Sequence, residues 1–165
     1  MNVAELSARE AIRDLVTRYN SNGDSGRFEE VALLFAPDGV LELPDGSSHQ
    51  GPDAVLSAFV AVRDRAFPEG RSRHVHHLVA THQIDLHDDG HASGRAYYQV
   101  LTAVGVDHWG RYVDRYRVVD GRWRLAHRRV TVDGSHPASL MIRPDNGDLP
   151  STASSHPAAA RRERQ

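Results

Sequence analysis

Polar and apolar residues alternate on both sides of Asp120-Gly121 in the stretch WGRYVDRYRVVDGRWRLAHRRVTV, from Trp109 to Val132. The dipeptide supplies φ > 0 at both centres of a two-residue turn, so the pattern predicts a hairpin closed by Val119 and Arg122. That register sets Val118 opposite Trp123, Tyr116 opposite Leu125, Asp114 opposite His127 and Tyr112 opposite Arg129, all on one face. The other face carries Arg111, Arg115, Arg117, Arg122, Arg124 and Arg128. A row of guanidinium groups is no dry core, so the first face is expected to look inward. Its mixture of apolar bulk with a carboxylate, an imidazole, a phenol and a guanidinium suits a pocket wall. On the outer side Arg117 opposes Arg124, and like charges so placed call for acidic neighbours or a second subunit.

Upstream the period is helical. Leu6, Ile12, Leu15, Val16 and Tyr19 recur at helix spacing over Ser7 to Asn20, and Ser7 with Glu10 has capping-box spacing. Asn22-Gly23-Asp24-Ser25-Gly26 breaks that pattern, and a second helix follows with Phe28, Val31, Ala32 and Phe35 as its stripe, ended by Pro37-Asp38-Gly39. Val40 to Leu43 reads as a short strand, with a turn around Gly46-Ser47-Ser48. Pro52 opens a third helix, to about Ala66, on Val55, Leu56, Phe59 and Val62. Phe67 to Ser72 reads as loop. Strand periodicity then takes over from Arg73 to Leu86 and from Ala92 to Val104, separated by Asp88-Asp89-Gly90. On the second of these strands Ala96, Tyr98, Val100, Thr102 and Val104 form the more apolar set. Gly105 to His108 is expected to turn the chain into the hairpin.

Three helices followed by a meander predict an α+β domain: a curved antiparallel (mixed) sheet, cone-shaped, closed by the N-terminal helices around an interior cavity. Residues 1–134 make that domain. The remainder, 135–165, shifts to Ser, Pro, Ala, Asn and Asp and reads as a flexible or peripherally docked tail, in which Leu140, Met141 and Ile142 could dock.

Composition narrows the chemistry. The chain of 165 residues has a net charge of -2 with mixed signs, which argues against a dedicated nucleic-acid binder. It has no cysteine, and all 20 of its Lys+Arg residues are arginine, so thiol nucleophiles, disulfides and lysine Schiff bases are excluded. The N-terminus has acidic residues and no apolar run, and the densest apolar run, Val31 to Ala36, is too short to span a bilayer. A soluble, cytoplasmic protein without membrane partners is the expectation. G-x-S-x-G, phosphate-loop and dinucleotide motifs are absent.

His, Asp, Glu, Tyr, Ser and Arg remain for any chemistry. His74 and His76 have the H-x-H spacing of a cupin metal site, but no glutamate follows, and no metal is expected. His76, His77, His82, His87 and His91 read as surface histidines. Asp24, between two helices, reads alone as an N-cap. Asp114 opposite His127 is either an acid–base pair or a structural ion pair. Tyr112 opposite Arg129 either anchors an oxyanion or satisfies the wall.

The stretches AIRDLVTRYNSNGDSGRFEEVALLFAPDGVLEL, RSRHVHHLV and GRYVDRYRVVDGRWRLAHRRVTVD together resemble the SnoaL-like proteins, over about residues 7 to 134. These belong to the superfamily with the nuclear-transport-factor-two-like cone fold, which includes polyketide cyclases, ketosteroid isomerases and scytalone dehydratase. In catalytic relatives an aspartate just after the first helix faces a histidine early in the sheet. The resemblance implies Asp24 and His74 for these roles, with His74 rather than His77 pointing inward. Where scytalone dehydratase has two water-holding tyrosines, a second histidine and an asparagine, this chain has Gly23, Leu43, Thr102 and Tyr112, so that particular water site is not expected.

The resulting expectation is a cofactor-independent acid–base enzyme, a lyase, isomerase or cyclase of secondary metabolism, acting on a small hydrophobic carbonyl or phenolic, polyketide-like metabolite. His74 is the expected base and Asp24 its orienting carboxylate. Tyr19, Tyr98, Thr102, Tyr112, Asp114, His127 and Arg129 are expected around the substrate. Two other readings stand beside it: a ligand-binding or structural subunit without catalysis, and an epoxide-opening cyclase using Asp24 or Asp114. Self-association as a homodimer or homotrimer through the outer sheet face is expected.

Overall fold

A computed structural model describes residues 2–68, 74–87 and 90–142. Helix α1 spans Val3–Asp24 and begins a turn before Ser7, because Asn2 caps it. The Asn2 side chain accepts the Glu5 N–H at 2.9 Å while the Glu5 carboxylate accepts the Asn2 N–H at 3.1 Å, the reciprocal arrangement that Ser7 and Glu10 had suggested. Leu6 is consequently exposed, and the buried stripe is Ile12, Leu15, Val16, Tyr19 and Asn20. The helix also continues through Gly23 and stops only at Ser25, before Gly26 in the left-handed region at φ 72°. Asp24 is therefore the last residue of α1 and not an N-cap.

A short α2, Phe28–Ala32, follows. Phe35 and Pro37 belong not to that helix but to strand β1, Phe35–Glu42. The chain then turns through Gly46, where a turn was expected, and β1 pairs antiparallel with a three-residue β2, Ser48–Gln50. Helix α3 spans Pro52–Ala66, with Pro52 directly after Gly51, as its ring geometry favours. Strands β3 (His76–Leu86), β4 (His91–Thr102), β5 (Gly105–Val119) and β6 (Arg122–Ser135) form the meander. β1 joins β6 in parallel, so the curved, unclosed, mixed sheet has the order β2-β1-β6-β5-β4-β3. The helices lie on one face, α1 against β3 and β6 and α3 against β1. Ile12, Val31, Leu41, Val55, Val100 and Leu125 are fully buried between the layers, and β4 turns Ala92, Ala96, Tyr98 and Val100 toward them. This is the α+β architecture that the periodicities predict. Among the described residues no helix is long and apolar enough to cross a membrane. Of the expected tail, residues 135–142 are described; Arg73, Asp88, Asp89, part of the loop before β3 and the chain from 143 onward lie outside the described residues.

The hairpin turns where expected, with Asp120 at φ 49° and Gly121 at φ 72°, and Val118 pairs with Trp123 and Tyr116 with Leu125. One residue later the register shifts. Arg115 pairs with His127, Asp114 with Arg128 and Tyr112 with Val130, leaving Ala126 as the extra residue of a bulge in β6. Because side chains alternate, one inserted residue exchanges the faces beyond it. Arg128, expected outside, is fully buried, while His127 turns outward to Glu42 at 3.0 Å and Arg129 is exposed. The opposed pair Arg117 and Arg124 does form, and each cation has a partner: Arg117 binds Asp38 of β1 and Arg124 donates to the Leu33 carbonyl.

Arg128 grips Asp114 with a two-pronged fork, Nε to Oδ1 at 2.9 Å and Nη2 to Oδ2 at 2.7 Å, and Tyr116 donates its hydroxyl to the same carboxylate at 2.6 Å. The guanidinium lies 4.1 Å from the ring centroids of both Tyr19 and Tyr112. Planar, weakly hydrated and held between two π faces, it loses less on burial than an ammonium would. Asp114→Ala leaves that cation buried without its counter-charge and is expected to cost about 3 to 5 kcal/mol, read as a lowered urea midpoint. The double change Asp114→Leu with Arg128→Met is expected to cost much less, because no charge is then stranded.

Candidate active site

The concave face of the sheet, α1 and α3 enclose a cavity of about 320 Å³. Most of its wall is apolar: Phe59 and Val62 from α3, Leu41 and Leu43 from β1 and just beyond it, Val130 and Val132 from β6. Three phenol rings, Tyr19, Tyr98 and Tyr112, form part of that wall, with Tyr98 stacked on Tyr112 at 4.6 Å. Into this surface project two imidazoles, His77 and His108, and the carboxylate of Asp24.

Asp24 leaves the last turn of α1 and reaches β3, where its Oδ2 accepts the His77 backbone N–H at 2.9 Å and its Oδ1 meets His77 Nδ1 at 2.6 Å. Two contacts from one residue fix both the carboxylate and the ring. A neutral imidazole with Nδ1 against a carboxylate must carry its proton there, which leaves Nε2 as a lone pair. The expected partner, His74, is instead exposed and does not line this cavity. The reason is strand alternation: Val75, His77 and Val79 share the inward side at the start of β3, and His74 and His76 fall on the other.

The second imidazole was hidden by a segment read as a turn. β5 starts at Gly105, so Asp107 and His108 belong to it, and both are buried. Their side chains bond at 2.8 Å, Nδ1 to Oδ1. Asp107 also accepts from Thr102 Oγ1 at 3.0 Å, so Thr102, expected at the substrate, serves this carboxylate. Burial pushes His108 below the ordinary histidine range, with Asp107 pulling the other way. Burial would raise Asp107, but the combined donors Ser139, Leu140, His108 and Thr102 hold it below the usual carboxylate range.

The tyrosine hydroxyls are committed inside the wall. Tyr98 donates to the Thr131 carbonyl at 2.9 Å and Tyr112 to Asn20 Oδ1 at 3.0 Å, while burial raises the pKa of both phenols. Asp114 sits behind the cavity on Arg128, and His127 and Arg129 face away from it. Of the residues expected at the site, the fold gathers Asp24, Tyr19, Tyr98 and Tyr112 and leaves out His74, Thr102, Asp114, His127 and Arg129. Among the described residues no three histidine or carboxylate groups converge as a metal centre would need.

A family model described as SnoaL-like domain matches residues 4–129. No curated protein matches the sequence. Among solved structures, a protein of unknown function with a cystatin-like fold from Nostoc punctiforme PCC 73102 is 24% identical, with 78% of this chain and 93% of that one covered at a TM-score of 0.68. A function-unknown protein from Mycobacterium tuberculosis is 28% identical over 81% of this chain and 77% of its own, with a TM-score of 0.67. A candidate scytalone dehydratase from Novosphingobium aromaticivorans DSM 12444 is 20% identical over 87% of this chain and 94% of its own, with a TM-score of 0.72.

The buried histidines have a consequence for stability. His108 and the half-buried His82 both titrate below the ordinary range, burial being the main cause in each. The unfolded chain therefore takes up protons first as pH falls, and their stabilising contribution, present above the ordinary histidine pKa, is lost on acidification. The thermal midpoint is expected to rise from about pH 5 to about pH 7 and then level. A scan of His108→Gln across that range is expected to show a shallower rise.

Proposed function

The chain belongs to the SnoaL-like domain family, and on that footing we propose that it is an acid–base enzyme, a lyase, isomerase or cyclase, acting on a small hydrophobic carbonyl or phenolic metabolite. The family and fold support a catalytic or ligand-binding role in general; the local chemistry carries the reading further. Its main support is the Asp24–His77 pair, an imidazole held through Nδ1 by a carboxylate beside an apolar cavity. His77 Nε2 takes a proton from the carbon next to the substrate carbonyl; the C–H electron pair forms a C=C bond and the carbonyl π pair moves onto oxygen, giving an enolate. Asp24 then balances the imidazolium charge. The enolate collapses by expelling a leaving group at the next carbon, by reprotonation elsewhere, or by attack on a second carbonyl. Proton transfers of this kind run on protein groups alone.

Stabilisation of the enolate comes from beneath the cavity floor. Tyr98 and Tyr112 cannot donate to it without giving up Thr131 and Asn20. Arg128 lies against Tyr19 and Tyr112, 4.1 Å from each ring centroid, and its charge draws both phenols toward the ionised form against the effect of burial. A fixed charge in a dry site favours developing negative charge without reorganising. The role expected of Arg129 thus passes to its neighbour.

The test uses α-proton exchange of 1-tetralone in deuterated buffer, followed by proton NMR. His77→Ala and Asp24→Asn are expected to reduce the enzyme-dependent rate by about 10²- to 10⁴-fold, the usual range for a positioned base, while His74→Ala leaves it within twofold or so. Equal rates in wild type and both site variants would reject the assignment.

A further inference from the structure

The carboxylate of Asp107 is fully buried and accepts four hydrogen bonds: Thr102 Oγ1 at 3.0 Å, His108 Nδ1 at 2.8 Å, Ser139 Oγ at 2.6 Å and the Leu140 N–H at 2.8 Å. Four donors satisfy an ionised carboxylate and no other form, since a protonated acid would set its own proton against one of them. Ser139 Oγ in turn accepts the N–H groups of Met141 at 3.2 Å and Ile142 at 2.8 Å, so the segment after β6 is tied down on the same point and its Met141 and Ile142 close part of the cavity wall.

His108 is 5% exposed, lines the cavity and meets the Tyr98 ring edge-on at 5.9 Å, with His77 on another side of Tyr98 at 6.3 Å. Its Nδ1 proton is committed to Asp107. The ring's other nitrogen, Nε2, is then a lone pair as long as the ring is neutral, the form that burial favours. His108 lines a largely apolar cavity, and among the described residues no protein donor meets its second nitrogen, so that lone pair rewards a ligand that brings a donor.

We propose that His108 is the acceptor subsite for a ligand hydroxyl, so that the cavity takes a molecule with one O–H group on an apolar frame, the hydroxyl on His108 Nε2 and the reacting C–H toward His77. This narrows the substrate class to hydroxylated carbonyl compounds or phenols, and it rests on the reading of the cavity and His77 given above. His108 selects; His77 reacts. Asp107 is a positioning residue, acting by holding the proton on Nδ1.

Two isosteric probes separate the hydroxyl from the frame: 2-naphthol and 2-methylnaphthalene, titrated against the full chain by naphthalene fluorescence. His108→Leu is expected to lower the ratio of naphthol to methylnaphthalene affinity about five- to tenfold, the effect of one lost hydrogen bond. His108→Gln, which keeps an acceptor, is expected to retain most of that ratio, and His77→Ala to leave it unchanged. A ratio untouched by His108→Leu, or one that moves only in His77→Ala, overturns the proposal. Tautomer state gives a second readout that needs no variant: a two-bond ¹H–¹⁵N spectrum of the wild type is expected to place the His108 proton on Nδ1, and a proton on Nε2 overturns it. Loss of tetralone exchange in His77→Ala together with an unchanged ratio in His108→Leu would sink this inference and leave the base assignment standing. If neither probe binds, this inference falls, and the base assignment is judged by the tetralone exchange alone.

Discussion

The Arg128–Asp114 pair is the constraint on which the interior depends. Two charges removed wholly from water cost several kcal/mol each, and only a forked, hydrogen-bonded geometry returns that energy. The fork exists because β6 carries one more residue than its partner at Ala126, which turns Arg128 inward opposite Asp114. Tyr116 braces the carboxylate, and Tyr19 from α1 and Tyr112 from β5 close over the guanidinium. Helix, two strands and cavity floor are thereby held to one point. The same pair sets a fixed charge beneath the tyrosines of the floor, so under the reaction proposed above the element that specifies the packing would also bias the chemistry.

Elsewhere in the cavity wall a different device recurs twice. Each cavity imidazole is held through Nδ1 by a carboxylate that has other hydrogen-bonding work: Asp24 takes the His77 backbone N–H as well, and Asp107 gathers donors from β4 and the segment after β6. A carboxylate so engaged has little freedom to swing away, and it sets which ring nitrogen carries the proton. Two rings with the same tautomer then face one space lined mainly by carbon. Their neighbourhoods differ, since His77 is partly open and His108 is buried, and that difference suits one to proton transfer and the other to holding a neutral hydroxyl.

The architecture was legible in the pattern of the chain because hydrophobic period is a local property. Helical spacing around Ile12 to Tyr19 and Val55 to Val62, the alternation either side of Asp120-Gly121 and the run from Ala96 to Val100 all correspond to elements in the fold. The boundaries were less legible. Asn2 and Ser7 both offer capping-box spacing with a glutamate three residues on, and only the hydrogen bonds choose Asn2. Phe35 fits a helical stripe as well as a strand, and its pairing with Leu125 on β6, far along the chain, decides for the strand.

The site divides along the same line. Residue types and their order determined the α+β architecture and excluded thiol and lysine chemistry, while the family resemblance, not the local pattern, pointed to Asp24. Only the tertiary structure decided which imidazole meets Asp24, which arginine turns inward and that Asp107 and His108 belong to the wall. The arginine turns on one extra residue in β6, the imidazole on strand parity around His77, and the Asp107–His108 pair on where β5 begins. Each leaves composition and hydrophobic period almost unchanged while it decides which side chains face inward. The energy that settles the matter is the burial and pairing of charges contributed by distant segments, which exists only once the segments have met.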